Sequence, residues 1–392
     1  AQRYPKGRAL TAEALPLLSD LQLTAAYRVP FPFSARIRAE LPSAPFATAT
    51  RGNRLVDADG HEVIDLTGSY GVNLFGNDFY KATIEGGVAR TRDLGTLLGY
   101  YHPVVVENAR RIAAIAGQDE VSFHMSGTEA VMQAVRLARH HTRRMHVVRF
   151  CGAYHGWWGD VQPGPGNPMP AEATYTLKDM DERSLRVLAT RKDIACVLVN
   201  PLQALHPNSP APADSGLVAA GRRAGFDREA YTRWLQRLRE VCSHRGIPLI
   251  FDEVFVGFRL AKGGAQEYFG VRADLVTYGK TLGGGLPVGV VCGRRGLMRR
   301  FDDARPADLC FARGTFNAHP AVMGSMAAFL EALDAPEIAA LYQGLDERWQ
   351  ARAGQMNEAL AHAGLPVRVA ALAHGAQGAP RLRGAGRGAL HR

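Results

Sequence analysis

Short apolar runs recur through the middle of the chain, at residues 121–123, 147–150, 194–199, 247–251 and 273–279. Each is closed by a polar or glycine-rich motif. Runs of this length read as strands covered on both faces. Between them lie helical stretches, of which the clearest begins near Thr128, where Val131, Ala134, Val135 and Ala138 recur at helical spacing. Strand and helix in alternation predict an α/β fold with a mostly parallel sheet flanked by helices. A chain of 392 residues, 46% of them hydrophobic, is long enough to bury a substantial core around such a sheet.

The motifs that close the runs carry the chemistry. Lys280 ends one apolar run and is followed at once by Thr281-Leu282-Gly283-Gly284-Gly285. A lysine held between a buried strand and a flexible turn can lose its proton and attack an aldehyde. Asp252 ends another run, where a carboxylate can keep a pyridine nitrogen protonated. The alternative is that Asp252-Glu253 is only a turn or helix cap. Together the lysine and the aspartate point to pyridoxal phosphate, with Lys280 as the Schiff-base lysine and Asp252 as partner of the ring nitrogen.

Further segments supply the rest of such a site. Ser126-Gly127-Thr128 opens the clear helix, and the free amides of a helix start bind phosphate, although Ser126 or Thr128 can equally be a simple N-cap. Tyr154, at a strand exit beside glycines, can lie flat on a planar cofactor. Val254 shares the side of Asp252 by the period of two. Thr315, in the turn Gly314-Thr315, is a further hydroxyl donor for phosphate.

In order and approximate spacing these motifs, with Tyr154-His155-Gly156, Gly257-Phe258-Arg259 and the run from Gly283 to Gly289, resemble class III aminotransferases, and within them the glutamate-1-semialdehyde aminomutases. The resemblance spans most of the chain, from about Asp57 to the helix near Pro320. It implies a fold type I transferase dependent on pyridoxal phosphate. Lys280 and Asp252 are the implied catalytic pair. Ser126, Gly127 and Thr128 belong to the phosphate end of the implied cofactor site, and Tyr154, His155 and Val254 to its ring. Thr315 is expected to reach the phosphate of the neighbouring subunit, which implies a homodimer with shared sites. Tyr70 and Arg36 fall where the family contacts substrate. The implied reaction moves an amino group between a small-molecule donor and a carbonyl acceptor.

The departures bear on substrate. After residues 194–199 the family usually has Glu-Pro, whereas this chain has Asn200-Pro201, so a charge expected near the cofactor is missing. Residues 206–225 form a longer, Pro- and Ala-rich stretch than in the aminomutases. These features favour an alternative, transamination of a ketone or aldehyde in lipid or natural-product biosynthesis. A different alternative is a catalytically silent interaction protein with a damaged C-terminus.

Four regions are expected: an arm and small hairpin over 1–71, turned by Asp57-Ala58-Asp59-Gly60; a large cofactor domain over 72–314; a helical segment over 315–366; and a tail over 367–392. The tail has neither acid nor aromatic residue, so it is expected to be poorly ordered, either as a natural flexible end or as a frameshift product. The formal charge of +10 hints at nucleic acid, but the excess sits in Arg3, Lys6 and Arg8 and in Arg368, Arg381, Arg383, Arg387 and Arg392, which leaves the body close to neutral. No nucleic-acid partner is expected. Nor is a membrane span, since no apolar run is long enough, and the start lacks the form of a secretory leader. Five scattered cysteines fit a reducing cytoplasm, and none has metal-site spacing with histidine.

Overall fold

The computed structural model describes residues 4–27, 46–162, 172–202, 227–365, 367–372 and 375–380. By compactness the chain divides into two units, Ala1–Ala82 and Thr83–Arg392. In the first, helices α1 (Pro5–Ala14) and α2 (Ser19–Tyr27) precede an antiparallel sheet of β1 (Ala47–Arg51), β2 (Arg54–Asp57) and β3 (Glu62–Ile64), in that order. The turn between β2 and β3 closes because Asp57 Oδ1 accepts from the amides of Asp59 (2.9 Å) and His61 (2.8 Å), with Gly60 at φ +89°. Asp59 in turn accepts from the amides of Lys6 and Gly7, donors in the first turn of α1 that have no partner within the helix. Helix α3 (Asn77–Thr91) carries the chain across the boundary between the units.

The second unit is built on a seven-stranded sheet. Helix α4 (Val104–Ala116) leads into β4 (Glu120–His124), and helix α5 (Gly127–Thr142) into β5 (His146–Phe150) and β6 (Thr174–Leu177). Helix α6 (Glu182–Thr190) precedes β7 (Ile194–Val199), and helix α7 (Arg228–Arg245) precedes β8 (Leu249–Asp252), β9 (Leu275–Gly279) and β10 (Gly289–Gly293). The strand order is β4-β10-β9-β8-β7-β5-β6. All neighbouring pairs run parallel except the two that β10 makes, which are antiparallel. Strands β7 to β10 are buried throughout, as expected of a sheet with helices on its faces.

Helix α5 lies across β7, β9 and β10 and buries Val131, Ala134, Val135 and Ala138, the residues whose spacing marked it. They pack with Val147, Leu198, Ile250, Leu275 and Val291 in one apolar cluster. Each valine, leucine or isoleucine among them contributes about 1.5–3 kcal/mol on burial, which fixes α5 against the sheet and with it the position of its first turn. Beyond the sheet follow α8 (Pro320–Ala332), α9 (Pro336–Tyr342) and α10 (Leu345–His362).

Two strands are described within the tail region. β11 (Val367–Leu372) and β12 (Gly375–Pro380) pair antiparallel, in register from Val367↔Pro380 to Leu372↔Gly375. A ladder of backbone hydrogen bonds needs no apolar side chains, and Asn357 on α10 holds one strand by accepting from Val369 N (2.7 Å) and donating to Val369 O (2.8 Å). Residues 381–392 lie outside the described residues, as do Arg36 and the stretch 206–225.

Candidate active site

Because β4, β5, β7, β8 and β9 are mutually parallel, their C-terminal ends share one edge of the sheet, the edge at which open α/β folds bind ligands. Ser126, Tyr154, His155, Asn200, Asp252 and Lys280 all follow or end these strands.

Asp252, the last residue of β8, is 3% exposed. Its Oδ1 accepts from the amide of Val254 (3.1 Å) and from Thr277 Oγ1 (3.2 Å) on the neighbouring strand β9. Its Oδ2 lies 2.7 Å from His155 Nδ1 and 3.1 Å from Asn200 Nδ2. A carboxylate only accepts, so the ring donates through Nδ1–H. His155 is fully buried and its Nε2 has no partner among the described residues. The side chain of Asp252 is thereby held from four directions.

Glu253, next in sequence, points elsewhere. It accepts from the amides of Ala265 (2.7 Å) and Gln266 (3.2 Å) at the start of the helical turn Gly264–Phe269. Burial pushes its carboxyl up to about 8, against the pull of those two amides. Of the acidic pair, the cap is Glu253.

Lys280 follows β9 in left-handed backbone, φ +47°, a conformation uncommon for a side chain other than glycine and frequent at functional sites. Partial burial lowers the pKa of its amine, the Asp252 charge opposes this, and Arg259 adds to the lowering. Its Nζ stands 5.9 Å from the centroid of the Phe255 ring, over which the Arg259 guanidinium also lies at 4.8 Å. Arg259 is buried and fixed by donating Nε–H to Phe255 O (2.7 Å).

The start of α5 closes on the same place. A Cβ on Gly127 would stand 2.6 Å from Val254 Cγ1, and one on Gly279 would meet Val254 Cγ1 at 3.2 Å and Gly127 Cα at 3.7 Å. Val254, the first turn of α5 and the backbone before Lys280 therefore meet closely in one cradle, an approach allowed because the two glycines lack side chains. Ser126 is the N-cap, its Oγ accepting from Glu129 N (3.2 Å), while Glu129 Oε2 accepts from Met125 N (2.9 Å). The hydroxyl of Thr128 lies against Gly156, which has φ +91° and whose Cβ would come 2.6 Å from Thr128 Oγ1.

Tyr154 is 67% exposed, and its amide donates to Asn200 Oδ1 (3.0 Å). Thr315 is exposed in the turn before α8, outside the hydrogen-bonded group around Asp252. Tyr70, 82% exposed with φ +55°, belongs to the first unit. Two residues of the group were not foreseen from sequence. Thr277 carries a signal, being a polar residue inside an apolar strand, and register sets it opposite Asp252. Asn200 stood out only as a missing charge, although its amide joins the segment after β5 to the end of β8.

The groups present fit pyridoxal phosphate. A buried carboxylate supplies a negative charge for a ring N–H, Val254 packed against Gly127 and Gly279 supplies an apolar side chain beside it, and the first amides of α5 supply donors for an anion. The fold is that of the fold type I transferases. A solved transaminase with PLP bound superposes with a TM-score of 0.73 at 30% identity, over 95% of this chain and 83% of that one. An omega-transaminase from Sphaerobacter thermophilus gives 0.78 at 27% identity, over 98% and 85%.

The sequence family described as Aminotransferase class-III matches residues 37–159 and 223–365, and the chain belongs to that family. The glutamate-1-semialdehyde 2,1-aminomutase of Nitratidesulfovibrio vulgaris is 35% identical to it over 336 residues, 84% of this chain and 75% of that protein.

Proposed function

We propose that this edge of the sheet is the catalytic centre of an enzyme, dependent on pyridoxal phosphate, that transfers an amino group as an aminotransferase or aminomutase. The observation that carries the reading is the meeting of Asp252, Val254, the α5 terminus and the backbone of Gly279, which precedes Lys280, in one cradle. Bound pyridoxal phosphate supplies an aldehyde that takes up amines and a protonated ring that accepts the electron pair released at the neighbouring carbon. Asp252 holds the proton of the ring nitrogen, and the donors around it keep its carboxylate in place. Val254 covers one face of the ring and Tyr154 the other. Gly127 and Thr128, with the cap Ser126, bind the phosphate, and His155 orients Asp252. Lys280 anchors the cofactor. Its amine, biased toward the neutral form by burial, takes and returns a proton at Nζ.

Thr315 completes the phosphate site of a second copy of the chain, so the working form is a homodimer. Its exposure in a turn ahead of α8 supports this. The five cysteines are all unpaired, a state that a reducing cytoplasm maintains. Among the described residues no helix is long and apolar enough to cross a membrane.

The identity to the aminomutase supports exchange of an amino group within one small molecule. A second reading, transfer between a separate donor and a ketone or aldehyde, is favoured by Asn200, which stands where the family's glutamate is expected. Incubation with single donors distinguishes the two, because an aminomutase turns over one compound whereas a transaminase halts until an acceptor is added. Borohydride reduction of the loaded protein followed by peptide mapping tests the site itself. The pyridoxyl group is expected on Lys280, and its recovery on another lysine removes the assignment.

A further inference from the structure

Asn200 is joined by hydrogen bonds to two neighbouring segments. Its Oδ1 accepts from the amide of Tyr154 (3.0 Å) beyond β5, and its Nδ2 donates to Asp252 Oδ2 (3.1 Å) at the end of β8. The first bond fixes which way the carboxamide faces, since a backbone N–H requires the oxygen on that side. The nitrogen is then left to face Asp252, and its 3.3 Å approach to His155 Nδ1 is a side-by-side placement of two donors on one carboxylate oxygen. The backbone of Asn200 is fixed too. Tyr231 of α7 donates to Asn200 O (3.5 Å) and accepts from Leu202 N (3.1 Å), where the chain turns at φ +101°.

A carboxylate at this position could keep the bond to Tyr154 but would set an acceptor against Asp252 Oδ2. We infer that Asn200 is a positioning residue whose carboxamide sets the Tyr154 segment and the Asp252 carboxylate in register, and that the site works because this residue is neutral and donates. The inference rests on the functional reading above. The titratable groups that meet the carboxamide are His155 and Asp252, Tyr231 touches its backbone, and Lys280 senses Asp252 electrostatically.

The test uses the loaded enzyme and its variants, with the absorbance of the bound cofactor titrated across pH and cofactor retention measured by equilibrium dialysis. Asn200→Asp places two carboxylate oxygens about 3 Å apart, where one proton must be shared, and the titration midpoint is expected to rise by about one pH unit or more. Asn200→Ala removes the bridge without adding charge. It is expected to weaken retention about threefold to tenfold, the worth of about one hydrogen bond, with a midpoint shift well below that of Asn200→Asp. An unchanged midpoint in Asn200→Asp, with the cofactor still on Lys280, overturns the inference alone. If that variant cannot be obtained folded, native retention in Asn200→Ala overturns it instead. Recovery of the cofactor on another lysine of the native protein overturns this inference together with the functional reading.

Discussion

Asp252 and Glu253 are consecutive, both buried, and serve opposite ends: the first turns into the cradle beside Lys280, the second into the amides of Ala265 and Gln266. The strand's alternation of sides separates them. One carboxyl is thus held among Thr277, His155 and Asn200, and the other is spent on capping a helical turn.

Replacing Asp252 with alanine is expected to leave the cofactor bound through the α5 terminus while turnover falls by about 10²–10³, the range for removing one preorganised electrostatic contact. Cofactor stoichiometry and single-turnover rate, measured on one preparation, check this. Near-native turnover would take Asp252 out of the mechanism.

Glu253 makes stability depend on pH. Its folded pKa of about 8 lies above the 4.5 of an ordinary glutamate, so between those values the unfolded chain gives up a proton that the folded chain keeps. Stability from this group is intact below pH 4.5 and declines as pH rises toward about 8, by a few kcal/mol at most. Glu253→Gln is expected to flatten that decline, gaining on the native protein at pH 8 and not at pH 5. Urea unfolding at the two values reads the difference directly.

Gly127 lets Val254 pack against the start of α5. Gly127→Ala is expected to push Val254 aside, costing about 1–3 kcal/mol of stability, as overpacking does, and loosening the cofactor. Gly156→Ala adds a positive φ to a similar clash with Thr128. Thermal unfolding with and without cofactor separates the two effects, because a blocked cradle narrows the gap between loaded and unloaded protein. An unaltered gap in Gly127→Ala would mean that the ring lies elsewhere.

Thr315→Ala is expected to weaken cofactor retention with unfolding unchanged and the dimer intact. Sedimentation beside a cofactor titration tests it, and a fully loaded monomer of the native protein would contradict the shared site.

Much of this was legible because the chemistry of the site is concentrated at strand ends, where an apolar run stops at a charged or glycine-rich residue. Lys280, Asp252 and the start of α5 announce themselves in that way. Asn200 did not, since a neutral residue after a strand looks like an absence until its two bonds are seen. Thr277 was hidden because its meaning depends on register with Asp252, a relation between strands that no single segment contains. The pairing of β11 with β12 rests on backbone groups and on Asn357, neither of which hydrophobic content reports.

The inverted strand β10 and the interleaved order of the sheet have a consequence for how the protein comes into being. The segment bearing Gly127 leaves the ribosome long before Lys280, and β4 is joined to the rest of the sheet only through β10, which is made after both. Strand β4 therefore enters the ladder only when β10 is made, whereas α5 already has β7 and β9 to pack against. The edge of the sheet that carries β4 is thus closed by the strand of that sheet that is synthesised last.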